Sequence, residues 1–337
     1  MSIDKFLNPD FTPDESTKAE VENLHKEGQS LAGINLKFAE MSQTKLVNAD
    51  LSNSDLTRAD FSGASMYGVN LEGSNLFKTN FEEANLKSAN LINCDLLGAD
   101  FTNTKLNNVD WGKDYKLINE IEAEKAAASG DHEKANEKYN EAEDIYRALK
   151  ISMQSQTLGD DVGKMFLREM IVKRKQMPKY SPLRMISKIA HITTGYGEKL
   201  GNILYSIIGV LVACALIYGI DGVVYQDRNL SFFADDIKEY GYLRTFGNLF
   251  YFSVVVFSTV GFGEITPLGL LNKTVMIFEG MTGGLILSIL VAGSTSSIAW
   301  LLDPAIKKIF IDKDKELLLL IPLVVIAAFT IKGFSLF

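Results

Sequence analysis

Residues 46–61 read Leu-Val-Asn-Ala-Asp-Leu-Ser-Asn-Ser-Asp-Leu-Thr-Arg-Ala-Asp-Phe. A large apolar residue returns at every fifth position, and two residues before it stands a small one. The pattern continues outward in both directions: Leu36, Met41, Leu46, Leu51, Leu56, Phe61, Met66, Leu71, Leu76, Phe81, Leu86, Leu91, Leu96, Phe101, Leu106 and Trp111. The small positions include Ala49, Ser54, Ala59, Ala64, Ala84, Ala89, Cys94 and Ala99, with Asp or Asn mostly between. A period of five fits neither the 3.6 of a helix nor the 2 of a strand. A solenoid fits it: each unit turns one large and one small residue inward and leaves the rest in water.

The stretch 36–111 resembles the pentapeptide-repeat family, A-(D/N)-L-x-x. The resemblance implies a right-handed quadrilateral β-helix with four pentapeptides per coil, over 31–112. Such a stack needs covered ends. Residues 1–30 supply an N-terminal capping segment, with a helix expected around Glu15-Ser16-Thr17, Val21 and Leu24. Trp111 and the residues after it supply the other cap. Some members of the family resemble DNA in shape and charge. Here Lys37, Lys45, Lys78, Lys87 and Lys105 dilute the acidic residues, so a scaffold or sensor module is expected and no nucleic acid. A ligand or protein partner at the repeat is left open.

Net charge over the 337 residues is −8, which disfavours a generally basic nucleic-acid binder. Cys94 and Cys214 fall in different regions, so neither a disulfide framework nor a metal cluster is indicated. His25, His132 and His191 are scattered. No apolar run follows Met1, and no signal peptide is expected.

Residues 113–180 read as a helical connector. Leu117, Ile121, Ala126 and then Ala135, Tyr139, Ala142, Ile145, Tyr146 and Leu149 fall at helical spacing, and Ser129-Gly130-Asp131 and Leu158-Gly159-Asp160 break them into three helices. From 164 to 199 the chain is basic, with Lys173, Arg174, Lys175, Lys179, Arg184 and Lys188 among its cations. Cations beside an apolar span mark the cytoplasmic side. Within the membrane-proximal segment 181–199, Leu183, Met185, Ile186 and Ile189 alternate with Arg184 and Lys188, a pattern that suits a helix on the membrane surface, with anionic lipid at 173–188.

Leu200 to Ile220 carries no charge and is long enough to cross about 30 Å of hydrocarbon. Asp221 to Thr245 is a polar loop. Phe246 to Ser258 is apolar but too short to span, as a re-entrant helix would be. Leu268 to Leu302 forms a second span, in which Glu279 must face protein or water. Between the last two stands Ser258-Thr259-Val260-Gly261-Phe262-Gly263-Glu264. A cation leaves water only if other oxygens replace its hydration shell, and rings of backbone carbonyls do so. Turning carbonyls into a pore takes unusual backbone, which Gly261 and Gly263 permit.

Residues 200–302 resemble the two-transmembrane potassium channels of prokaryotes: outer helix, pore helix, filter, inner helix. The resemblance implies a homotetramer that conducts potassium passively. Thr259, Val260, Gly261, Phe262 and Gly263 would coordinate potassium. Tyr251, Phe252, Ser258 and Glu264 would support the filter. Gly283 matches the inner-helix hinge, and Leu287, Val291 and Thr295 would line cavity and gate. Three departures touch filter stability. Phe262 replaces the commoner tyrosine, Glu264 replaces the usual aspartate, and Val255 stands where some members have an acidic partner. No arginine ladder exists, so gating by the cytoplasmic region rather than by voltage is expected.

Segment 303–337 contains Leu317 to Ile331, fifteen residues without charge. That is short for a span unless Lys332 snorkels. A third membrane helix and an interfacial helix remain equally open. The expected whole is a multidomain integral membrane protein with cytoplasmic N-terminal domains, in the inner membrane if the cell is bacterial. A weakly selective cation channel and a membrane-anchored scaffold with a silent pore are the alternatives. No nucleophile–base pair, metal-ligand cluster or phosphate loop with its lysine is visible, so no enzyme and no cofactor beyond the permeant potassium are expected.

Overall fold

The computed structural model of the protein describes residues 3–156, 159–234 and 237–301, with residues 159, 160, 239 and 289–301 described by their backbone only. The segment 303–337, with its candidate third helix, lies outside the described residues. The chain divides into two compact units, Met1–Lys188 and Ile189–Phe337.

The first unit is built on a β-helix. Parallel bridges pair Asn35 with Asp55, Glu40 with Asp60, and so on to Asn90 with Asp110, always twenty residues apart. Twenty residues are four five-residue units, so each coil holds four. Every unit turns alike. The Ala39 N–H donates to Leu36 O at 3.1 Å, and Phe38 between them has a φ of 62°. A positive φ at the third turn residue is the type II requirement. The five-residue periodicity thus fixes a turn per unit, and the turns point the large residues inward. Leu36 through Phe81 of the series are wholly buried, each contributing about 1.5–3 kcal/mol by leaving water. Phe61, Phe81 and Phe101, one coil apart, stack at 5.8 and 5.6 Å.

The small positions carry a second device. At three polar positions the side chain donates to a carbonyl in the coil before: Ser74 to Leu51 O at 2.7 Å, Thr79 to Leu56 O at 2.8 Å, Thr104 to Phe81 O at 2.6 Å; Thr44 donates within its own coil, to Met41 O at 2.8 Å. A buried hydroxyl so paired escapes the cost of lost hydration. Cys94 occupies the same slot and donates to Leu71 O at 2.9 Å. Burial pushes its thiol up to about 12.

Both ends are covered. Helix α1 (Thr17–Lys26) buries Val21 and Leu24, and Phe6 is buried beside them. At the other end stand α2 (Ile118–Ala128), α3 (His132–Ser155) and α4 (Gly159–Gln176). Asp131 caps α3 by accepting from the Lys134 N–H at 3.1 Å. The foot of α3 closes the last coil: Ser152 donates to Phe101 O at 2.6 Å, and Gln156 accepts from the Leu106 N–H at 3.1 Å. One apolar core therefore runs from the β-helix through Trp111 and Leu117 into Tyr146, Leu149 and Met165. Glu120, fully buried, accepts from Tyr146 at 2.9 Å and faces Lys175 and Arg168.

Helix α5 (Pro182–Thr194) exposes Leu183, Met185, Ile186, Ile189 and Ile192, each to 58% or more. In the second unit, α6 (Leu200–Asp221) buries Ile203, Leu211, Ala215 and Tyr218 on one face and exposes Leu204, Tyr205, Ile208 and Leu216 on the other. Such an all-round apolar helix with a bare apolar face is what lipid selects. It is the one helix among the described residues long and apolar enough by composition to cross a membrane.

The expected polar loop 221–245 is more ordered than its composition implies. β1 (Val223–Tyr225) and β2 (Arg228–Leu230) form a hairpin whose turn residues, Gln226 and Asp227, both have positive φ. β3 (Ile265–Pro267) pairs antiparallel with β1 on its other edge, in the order β2-β1-β3. The short α7 (Ile237–Tyr240) precedes α8 (Tyr242–Phe257), and α9 (Gly269–Leu301) follows β3.

Candidate functional site

Helix α8 buries Leu249, Phe252, Ser253, Val255 and Phe257 against α6 and α9. The way it ends sets the backbone of the next residues. The Thr259 N–H donates to Val256 O at 3.0 Å and the Val260 N–H to Val255 O at 3.2 Å. These are the two bonds of a Schellman motif, which needs a left-handed residue between them. That residue is Thr259, with a φ of 58°. A β-branched side chain there costs on the order of 1–3 kcal/mol. Glycine is the usual occupant, so the sequence, which marked Thr259 as a filter residue, did not announce its left-handed backbone.

The left-handed backbone then recurs at every second residue. Thr259, Gly261 and Gly263 have φ of 58°, 60° and 77°, whereas Val260 and Phe262 are not positive. An ordinary strand sends successive carbonyls to opposite sides. Alternating the hand of the backbone sends them to the same side, as a row of cation-binding oxygens requires. All five residues from Thr259 to Gly263 are exposed. The row is open for a cation or a second copy of the chain to meet.

Both ends of this row are held. At the start stands the cap of α8, where Ser258 donates to Val255 O at 3.2 Å. At the finish, Ile265 is buried and pairs with Tyr225, and the Leu268 N–H donates to Gly222 O at 3.1 Å. Between them, Glu264 accepts a hydrogen bond from Tyr251 on α8. Tyr251 and Glu264 are thus brought together. Phe252 is not part of that pair: it is buried with its ring 4.8 Å from Tyr218 of α6.

On α9, the residues that meet the other helices lie on one face. Asn272 donates to Tyr218 O at 3.0 Å and Gly222 O at 2.8 Å, tying the end of α6. Glu279 is 2% exposed and accepts from Tyr218 Oη at 2.6 Å and from Ser253 Oγ. Gly283 meets the end of α8 so closely that a Cβ there would stand 2.1 Å from Phe257 O. The glycine is therefore required by packing, a reason separate from the hinge the resemblance implies. Leu287 packs with Ile203, Leu211, Phe257 and Ile286. The side chains of Val291 and Thr295 lie outside the described residues. Among the described residues no group of acidic, histidine and cysteine side chains can hold a metal ion.

Residues 34–73 and 74–110 match the pentapeptide repeats family, and residues 207–298 match the ion channel family. Among solved structures, a pentapeptide repeat protein from the cyanobacterium Cyanothece 51142 is 35% identical over 23% of this chain and 53% of its own, with a TM-score of 0.23. One from Nostoc Pcc 7120 is 25% identical over 28% and 76%, with a TM-score of 0.26. One from the Arabidopsis thaliana thylakoid lumen is 28% identical over 22% and 48%, with a TM-score of 0.14. The chain spans about half the length of the first of these. No curated protein matches it. One chain thus carries a pentapeptide-repeat segment followed by a segment similar to ion channels. Neither family is one of enzymes.

Proposed function

We propose that the protein is a homotetrameric, potassium-selective channel in which residues 259–263 of four chains close one filter. The observation that carries this reading is the alternating backbone of Thr259, Gly261 and Gly263, exposed and anchored at both ends. One chain offers a single row of carbonyls, and a ring takes several. In the assembled channel α6 is the outer helix, α8 the pore helix and α9 the inner helix, with Gly283, Leu287, Val291 and Thr295 lining hinge, cavity and gate. The β-helix, right-handed and quadrilateral, lies in the cytoplasm and acts on the gate through α2–α5. The bare apolar face of α5, with Lys179, Arg184 and Lys188 beside it, rests on an anionic membrane surface.

Phe262 favours a second reading. It is 53% exposed and has no hydroxyl to tie it back, and a looser filter would pass sodium as well. One experiment separates the two. The purified protein is reconstituted in liposomes, and flux is followed under a potassium and then a sodium gradient. Potassium flux that barium stops, with little sodium flux, supports the selective channel. Equal fluxes favour the loose pore. No flux in either gradient leaves a closed gate or a silent pore, which a gate-opening substitution at Gly283 separates, and both readings fail if that variant is silent too. Deleting residues 1–163 tests gating: an unchanged open probability would sink the cytoplasmic gate.

A further inference from the structure

Glu279 is an acid in the middle of an otherwise apolar stretch of α9. Burying a carboxyl group without a cation is costly, and among the described residues no cation pairs with it. The contrast with Glu120 is direct. That acid, equally buried, faces both Lys175 and Arg168. Around Glu279 the partners are neutral donors, one from each neighbouring helix: Tyr218 Oη of α6 at 2.6 Å and Ser253 Oγ of α8. Ser253 is bound on its other side to Leu211 O at 3.0 Å. A single carboxyl group therefore joins all three helices.

Its place on α9 gives the junction a purpose. Glu279 meets α8 at Ser253. One turn on, Gly283 meets it at Phe257, two residues before Thr259. The two contacts share a face of each helix, because both pairs are four residues apart. They fix how far α8 slides along α9, and α8 runs directly into Thr259 through its cap. A bare van der Waals contact leaves such sliding cheap, whereas a directional hydrogen bond does not.

Resting on the channel reading, we propose that Glu279 is the positioning residue of the filter. Its carboxyl group sets α8 against α6 and α9, so the ion-binding carbonyls keep their spacing. Stability alone would not need an acid. Replacing both members of a buried hydrogen-bonded pair by apolar groups of similar shape is often neutral. A role in position predicts that the same exchange harms selectivity.

The test is the full-length double variant Glu279→Met/Tyr218→Phe beside the wild type. Ser253 keeps its bond to Leu211 O in that variant. Tetramer melting temperature and the potassium-to-sodium permeability ratio are measured on the same reconstituted preparation. The expected result is a melting temperature near that of the wild type and a permeability ratio lowered severalfold or more. Glu279→Gln, which keeps an acceptor oxygen, gives a smaller loss and serves if the double variant does not assemble. An unchanged ratio in assembled variants overturns the proposal and leaves the channel reading intact. A chain that passes neither ion even with a gate-opening substitution at Gly283 refutes the channel reading and this proposal with it.

Discussion

Replacing Gly283 by alanine adds one carbon to the face of α9 that meets α8. That carbon would lie 2.1 Å from Phe257 O, about 1.3 Å inside the 3.4 Å at which ordinary contact begins. The obstacle is a backbone oxygen, so no side chain can rotate away. Overpacking of this kind costs about 1–3 kcal/mol, while the gain in helix propensity returns up to about 1 kcal/mol. A contact this close to a rigid backbone oxygen falls at the upper end of that cost, so the net loss is about 2 kcal/mol, and the strain falls two residues before Thr259. The adjacent glycine is the control, because a Cβ on Gly284 meets no atom within 4 Å. In liposome flux and thermal melting, Gly283→Ala is expected to lose most potassium flux and to melt lower. Gly284→Ala is expected to melt no lower than the wild type. If Gly283→Ala conducts and melts like the wild type, the close approach of α9 to α8 does not hold in the working molecule.

The first unit yields further expected outcomes. Phe81→Ala removes the middle ring of the Phe61–Phe81–Phe101 stack and should cost about 3–5 kcal/mol, read as a lower melting temperature of the full chain; a shift no larger than that of a surface variant would contradict the stack. The Cys94 thiol, pushed up to about 12 by burial, should resist alkylation at pH 8 in the folded Cys214→Ala variant and react fully once denatured. Rapid labelling of the folded form would place Cys94 outside the core. Burial alone would raise the Glu124 carboxyl, but hydrogen bonds from Lys116 and Lys175 outweigh it and hold it below its ordinary 4.5. Burial alone would lower Lys175, but Glu124 and Glu120 hold it above its ordinary 10.5. A depressed carboxylate stabilises above pH 4.5, and that contribution disappears as pH falls through the lower folded-state value. A raised lysine stabilises below pH 10.5, and its contribution disappears as pH rises through the higher one. Lys175→Met should therefore flatten the alkaline decline in melting temperature and weaken the acid one. A profile superimposable on that of the wild type would dissociate the pair from stability.

Local patterns were legible, and pairings across the chain were not. The β-helix was readable because a five-residue period belongs to no helix or strand, and the side chains that carry it are the ones buried. The breaks at Ser129-Gly130-Asp131 and near Gly159 placed α2, α3 and α4 for the same local reason. The β1–β2 hairpin was missed because its turn is Gln226-Asp227 rather than the Asn-Gly or Asp-Gly that signals such turns. Thr259 was expected as a potassium ligand but not as a left-handed residue, because left-handed backbone is ordinarily read from glycine. Glu279 was expected to face protein or water, as it does. Its partners Tyr218 and Ser253 lie 61 and 26 residues away, a separation that no periodicity reports. A cap after Trp111 was expected, but the bonds from Ser152 and Gln156 that bind the connector to the last coil span some fifty residues, and no periodicity reports them.

The reversal potential of the reconstituted protein decides whether Thr259 to Gly263 form the potassium-selecting filter proposed here. Equal concentrations of potassium and sodium are placed on opposite sides of a planar bilayer holding the wild-type channel. A filter at least tenfold selective moves the reversal potential about 59 mV or more from zero, with the sign set by potassium. A conducting protein whose current reverses at zero would contradict the filter.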